Sequence, residues 1–139
     1  MPATEVPPRS IDQLEATELS GLLASIEEGL PTSLVNQVEE RLDLTPQEMA
    51  SFLGISPRTL ERRRENGTLT SVESERLYRI ARLFRKAVDV FESEEEARSW
   101  LKRSHMRLGE QVPLEIARLE PGARETERLL GRIEHGIPA

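Results

Sequence analysis

Residues 45–67, TPQEMASFLGISPRTLERRRENG, constrain the fold of this chain more than any other stretch. Thr45 is suited to cap a helix, and Glu48 is placed to complete a capping box with it. Gly54 supplies the backbone freedom that ends this helix, and Ser56 is suited to cap the next one. Two short helices joined by such a tight turn are typical of a helix-turn-helix motif.

The second helix of this motif carries most of the candidates for contact with DNA. An arginine placed in the major groove can bind a phosphate or pair with guanine, and a threonine can touch the backbone or a thymine methyl group. An ordinary helical hairpin with a solvated basic face would show the same pattern, and Arg63 stands where such motifs often have an apolar residue. The residues expected to contact DNA are Thr45, Ser56, Arg58, Thr59, Arg62, Arg63 and Arg64.

Charge is distributed unevenly along the chain, whose net charge is −6. Residues 1–50 hold ten acidic and two basic side chains, whereas residues 58–86 hold nine basic and four acidic ones. Because the local field guides docking more than the total charge does, the basic segment keeps DNA binding open despite the acidic chain. Seventeen of the nineteen basic residues are arginine, which suits phosphate or carboxylate recognition but would also follow from a GC-rich genome.

The sequence offers little that would support catalysis. Cysteine is absent, and His105 and His135 lie thirty residues apart with no second ligand at helical spacing. We find neither a glycine-rich phosphate loop nor a nucleophile elbow, so we expect a binding protein with no metal, no cofactor and no enzymatic activity. Because no long apolar run or leader segment is visible, we also expect a cytoplasmic protein without a membrane span.

Helical spacing of apolar residues continues on both sides of the motif and predicts an all-α architecture. We expect a disordered or partly ordered segment over residues 1–17, a helix-turn-helix region over 18–70, and a long helix with a smaller helical region over 71–139. The long helix carries an apolar stripe that is either core or a dimer interface. The stripe residues assigned to dimerisation are Leu77, Ile80, Phe84 and Val88.

The C-terminal half contains four segments that, in this order, resemble one family. They resemble the toxin-binding domain of Xre/MbcA/ParS-type antitoxins, and with the helix-turn-helix the resemblance extends over nearly all of residues 32–139. The segments are ESERLYRIARLFRKAVDVF, EEARSWL, LGEQVPLE and LLGRIEHGIPA.

The resemblance implies an Xre-like helix-turn-helix bundle followed by a small toxin-binding domain, in the antitoxin of a type II toxin-antitoxin system. It implies a homodimer that binds operator double-stranded DNA and represses its own operon. It also implies that the C-terminal part blocks the active site of a RES-domain toxin, an enzyme that consumes NAD. The residues that we expect to contact the toxin are Trp100, Arg128, Arg132, His135, Gly136, Ile137, Pro138 and Ala139.

Two other functions remain open from the sequence. A stand-alone transcriptional regulator without a toxin partner would share the helix-turn-helix, and an interaction scaffold that has lost DNA binding would fit Arg63 and the acidic net charge. The last four residues, Gly136–Ala139, either insert a small apolar end into a toxin pocket or merely fray.

Overall fold

The computed structural model describes residues 8–136, and the regular structure within them is helical. The expected all-α architecture is confirmed, with two isolated β-bridges and no sheet in the described residues. No helix in this part of the chain is long and apolar enough to cross a lipid bilayer. The α-helices are α1 (Ile11–Ala16), α2 (Leu19–Glu28), α3 (Thr32–Leu42), α4 (Pro46–Leu53), α5 (Pro57–Asn66), α6 (Ser71–Phe91), α7 (Glu94–Lys102), α8 (Pro113–Ile116) and α9 (Glu120–Glu134), and a 3-10 helix covers Met106–Leu108.

The chain divides into two compact units, Met1–Tyr78 and Arg79–Ala139. The helix α6 contributes to both units, because the division falls within it. The sequence had suggested a boundary between residues 70 and 71, where α6 begins. A continuous helix hides such a division in the sequence, since neither a glycine nor a proline marks it.

The helix α1 lies within the segment for which we expected little order. Ser10 caps it by accepting a hydrogen bond of 3.1 Å from the Gln13 amide, and Ile11 and Leu14 are buried. The Ile11 amide donates to the Gln37 side chain at 3.1 Å, which ties α1 to α3. Six residues are too few to show a helical stripe, so tertiary burial decides whether such a segment is ordered.

Backbone contacts join the turn before α3 to the segment between α5 and α6. The Leu69 amide donates to the Leu30 carbonyl at 2.9 Å, and the Leu30 amide donates to the Ser74 hydroxyl at 2.8 Å. Gly29 makes this approach feasible, because a Cβ there would lie 2.2 Å from the Leu69 carbonyl oxygen and its φ is +102°. These bonds hold the base of the helix-turn-helix region together.

The second unit is built around Trp100, which we had expected to contact a toxin. Its side chain is only 5% exposed, and its ring centroid lies 5.8 Å from that of Phe91 and 4.4 Å from that of His105. A His105 ring nitrogen also lies 2.7 Å from the Trp100 carbonyl. Trp100 is therefore a core residue, and we no longer assign it to toxin contact.

The apolar stripe of α6 is also core. Leu77, Ile80 and Phe84 are buried, and Val88 is half-buried. A dimer interface needs side chains that are accessible in the separate chain, and the first three are already covered within it. We therefore withdraw Leu77, Ile80 and Phe84 as a dimer interface, because these three side chains stabilise the chain itself. Val88 stays a predicted dimer contact.

Candidate functional sites

Local hydrogen bonds set the two helices of the helix-turn-helix region as the sequence predicted. The Thr45 hydroxyl accepts from the Glu48 amide at 3.1 Å, and the Glu48 carboxylate accepts from the Thr45 amide at 2.9 Å. The Ser56 hydroxyl accepts from the Thr59 amide at 3.0 Å and donates to the Thr59 hydroxyl at 2.9 Å. The hydroxyl groups of Thr45, Ser56 and Thr59 thus have a structural role at the starts of α4 and α5.

Arg63 forms an ion pair inside the first unit and does not extend from α5 into solvent. Its Nε and Nη2 atoms donate to the two carboxylate oxygens of Glu73 at 2.8 and 3.1 Å. Glu73 is buried, and it also accepts from the Thr70 amide at 3.0 Å. Two parallel bonds of this kind fix both distance and orientation, so the pair holds the end of α5 against the start of α6.

The electrostatics of Glu73 reflect this setting. Burial acts to raise the pKa of the Glu73 carboxyl, but hydrogen bonds from Arg63 and Thr70 and the charge of Arg63 outweigh burial and lower the pKa. The hydrogen bond to Glu73 in turn raises the pKa of Arg63. Both groups therefore stay ionised at neutral pH.

Arg64 is held in a similar way, on the other side of α5. Its Nη2 atom lies 2.6 Å from the Glu39 carboxylate, and its Nη1 atom donates to the Asn36 side chain. We expected both Arg63 and Arg64 to face DNA, and the structure corrects that expectation. The carboxylates of Glu39 and Glu73 stand on other helices, and nothing in the spacing along α5 revealed them.

Arg58 and Arg62 remain candidates for contact with DNA. Both are exposed, and neither has a hydrogen-bonding or ionic partner among residues 8–136. Their spacing of four residues places them one turn apart on the same side of α5. Two free guanidinium groups on a helix that is braced at its other end form the best candidate surface for a phosphate backbone.

In the second unit, the 3-10 helix and α9 border an open groove of about 550 Å³, which we call the cationic groove. It brings together three of the expected contact residues, Arg128, Arg132 and His135. It also includes Arg107, which the sequence analysis missed because no pattern in the sequence places the 3-10 helix beside α9. The groove is lined by Arg107, Leu108, Glu125, Arg128, Leu129, Gly131, Arg132 and His135.

The described part of the chain ends directly after the last residue of this groove. Gly136 is exposed and adopts a left-handed φ of +73°, directly after the groove residue His135. The expected contacts Ile137, Pro138 and Ala139 lie outside the described residues.

A metal site is not evident in the part of the chain that the structure describes. No group of three or more His, Cys, Asp or Glu side chains is arranged there to hold an ion. One His105 ring nitrogen already lies 2.7 Å from the Trp100 carbonyl, and His135 lines a groove whose other charged residues are mostly arginines.

Comparison with known families places both units. Residues 21–82 match the model of the antitoxin Xre-like helix-turn-helix domain, and residues 86–136 match that of the antitoxin Xre/MbcA/ParS C-terminal toxin-binding domain. Among curated relatives, "Antitoxin Xre" of Photorhabdus laumondii is 35% identical over 84% of this chain and 80% of its own length.

Two further relatives agree with this result. "Antitoxin Xre" of Yersinia enterocolitica is 32% identical over 89% of this chain and 85% of its own length. "Antitoxin Xre" of Pseudomonas putida is 30% identical over 80% of this chain and 69% of its own length. The family models and these relatives agree, and the chain therefore belongs to the Xre antitoxin family.

Proposed function

We propose that this chain is the antitoxin of a type II toxin-antitoxin system, acting in the cytoplasm by binding and not by catalysis. Its second unit neutralises a cognate toxin, and its first unit represses the operon that encodes both proteins. The observation that carries this proposal is the cationic groove, which lies inside the segment that matches a toxin-binding domain. Arg107 and Arg132, whose side chains have no partner among residues 8–136, offer a binding surface that the core of this small unit does not need.

We further propose that the toxin is a RES-domain enzyme that consumes NAD, because the order of the C-terminal motifs implies that pairing. Inhibition then works by occlusion: the end of α9 and the residues after it cover the entrance to the toxin's active site. In this arrangement Arg128, Arg132 and His135 contact the toxin close to where Gly136–Ala139 enter. The antitoxin itself supplies no chemical step.

Co-expression with the toxin gene of the same operon tests neutralisation. We expect the full chain to protect cells and a chain ending at Arg118, which lacks α9, to fail. A second variant that lacks only residues 137–139 separates occlusion from loss of folding, because it keeps every described residue. Protection by the chain ending at Arg118 would refute neutralisation through α9 and the tail.

Operator binding tests the role of the first unit. Changing Arg58 and Arg62 to alanine is expected to weaken binding and to reduce the slope of log K against log salt by about one for each lost phosphate contact. The exposed Arg124 of the second unit, changed to alanine, is the control. If the double variant binds operator as the unchanged chain does, the first unit acts as a scaffold and not as a DNA reader.

We also propose that two copies bind the operator together, as the family resemblance implies. The joining surface lies outside the stripe of Leu77, Ile80 and Phe84, because these side chains are buried within the chain. Sedimentation of the purified protein, alone and with operator DNA, measures the number of copies. A monomer on DNA would contradict this part of the proposal.

A further inference from the structure

The second unit keeps three arginines without partners, and all three lie along one side of it. Within residues 8–136, Arg107, Arg118 and Arg132 have no hydrogen-bonding or ionic partner for their side chains. Other arginines of this unit are paired: the Arg82 side chain bonds to Glu127 at 2.7 Å, for example. Among the described residues of the second unit, the unpaired guanidinium groups are thus concentrated in one region.

That region comprises the cationic groove and a second groove beside it. The second groove has a volume of about 670 Å³ and shares Arg107, Leu108 and Glu125 with the first. Its wall includes Leu119, which is 60% exposed although it is a large apolar side chain. We call the two grooves together the double groove.

Charge and apolar exposure in the double groove occur side by side. Its lining holds four arginines and two glutamates, in a chain whose net charge is −6. Arg118 is next to Leu119 in the sequence, and Ile116 and Pro121 extend the apolar wall on either side. A surface of this composition attracts carboxylates and, next to them, offers an apolar side chain a place to leave water.

We propose that the double groove docks a segment of the toxin that carries carboxylates beside an apolar anchor. The carboxylates pair with Arg107 and Arg132, and the anchor packs on Leu119. The inference rests on the proposed function and deepens it, since it states the chemistry of the toxin segment that these groove residues bind.

The chemistry of the lining favours a protein segment over a small anion. A guanidinium group presents a planar fork of donors that matches a carboxylate in two parallel bonds. A free phosphate would satisfy the arginines but would leave Leu119 and Ile116 in water. Only a partner with both polar and apolar groups uses the whole of the double groove.

The test is the affinity of the complete antitoxin for the purified toxin, measured at several salt concentrations. The double variant Arg107→Glu with Arg132→Glu is expected to bind at least about tenfold more weakly near 0.1 M salt, because reversed charges repel the toxin's carboxylates. The difference is expected to shrink toward about 1 M salt, where screening acts over only about 3 Å. Leu119→Ala is expected to weaken binding by a factor that salt does not change.

Arg124→Glu is the matched control for the charge variants. Arg124 lies on α9, is exposed, pairs with Glu120 and lines neither groove. Its reversal changes the net charge by half as much as the double variant does and leaves the lining of the double groove unaltered. Its affinity for the toxin is expected to stay within about twofold of the unchanged chain, as for a charge outside the contact area. Far-UV circular dichroism confirms that each variant is folded.

The outcomes separate this inference from the proposed function. If the unchanged chain does not bind or neutralise the toxin, the proposed function fails. If it does, and the double variant binds with equal affinity and equal salt dependence, only the docking surface is refuted. Inorganic phosphate is the probe for the remaining case. If phosphate perturbs the NMR signals of Arg107 and Arg132 in the unchanged chain, and the double variant still binds the toxin with unchanged affinity, the groove is a small-anion site and the proposal is overturned.

Discussion

Replacing Glu73 by alanine should destabilise the first unit more than any change on the exposed face of α5. The carboxylate of Glu73 accepts two hydrogen bonds from Arg63 and one from the Thr70 amide. Alanine removes all three at once and leaves the guanidinium without an anion. The bond from the Thr70 amide is one half of the capping box that starts α6, and only the other half, from the amide of residue 73 to the Thr70 hydroxyl, remains.

The exposure of the two side chains sets the size of the effect. Breaking a fully buried ion pair by removing one partner costs about 3–5 kcal/mol, whereas a fully exposed pair contributes about 0–1 kcal/mol. Here the Glu73 side chain is 6% exposed and that of Arg63 is 21% exposed, so water partly resolvates the remaining arginine. We therefore expect a loss of about 3 kcal/mol in the free energy of unfolding, a large share of the roughly 5–15 kcal/mol typical of a domain.

Urea unfolding followed by far-UV circular dichroism measures this loss, and hydrogen exchange of the α5 amides shows whether it is local. Arg62→Met is the control, because Arg62 neighbours Arg63 in sequence but has no partner among the described residues; it should stay within about 0.5 kcal/mol of the unchanged chain. Glu73→Gln keeps an acceptor for Thr70 and should fall between the two. If Glu73→Ala costs no more than Arg62→Met, the ion pair does not brace α5 and our reasoning is wrong.

The same pair predicts how stability depends on pH. The pKa of Glu73 is lowered in the folded chain from its ordinary value of 4.5. A lowered pKa means that its contribution to stability is complete above pH 4.5 and is lost as the pH falls through the folded-state pKa. Unfolding measured from pH 7 down to pH 3 should show this loss, and Glu73→Gln should remove that part of the acid sensitivity; an unchanged acid profile would contradict it.

Two further predictions concern close packing and buried polar groups. Gly122→Ala should destabilise the second unit by about 1–3 kcal/mol, because a Cβ there would lie 1.9 Å from the Ile116 carbonyl oxygen. Gly131→Ala lies on the same helix, where a Cβ meets nothing within 4 Å, and should be neutral or stabilising by up to about 1 kcal/mol. If thermal unfolding shows the same loss of stability for both glycine variants, the packing argument is refuted. Ser74→Ala removes the acceptor of the Leu30 amide and should cost about 1–3 kcal/mol in urea unfolding; a loss below about 0.5 kcal/mol would mean that this amide finds another partner.

Local chemistry in the sequence was enough to predict the helix-turn-helix. Thr45 and Ser56 cap their helices through bonds that reach only three residues along the chain, and Gly54 ends α4 in a left-handed conformation. Interactions of this range depend on neighbours in sequence, so a pattern of letters carries them. The order of the C-terminal motifs likewise indicated the family.

Long-range pairing decided the identity of the candidate sites. An arginine on α5 is available to DNA only if no carboxylate from another helix pairs with it. Glu73 pairs with Arg63 and Glu39 pairs with Arg64. No carboxylate among the described residues pairs with Arg58. Spacing within α5 contains no information about those distant partners.

The same limit applies to the C-terminal unit. The sequence predicted an apolar stripe on α6 that was either core or a dimer interface, and only packing determined that Leu77, Ile80 and Phe84 face inward. Arg107 joins Arg128 and Arg132 in one groove because the 3-10 helix is folded beside α9. Short-range capping and periodicity determine the secondary structure, so the sequence by itself predicts it. The binding surfaces depend on which arginines pair with distant carboxylates in the folded chain and which remain unpaired, and only the tertiary structure decides that.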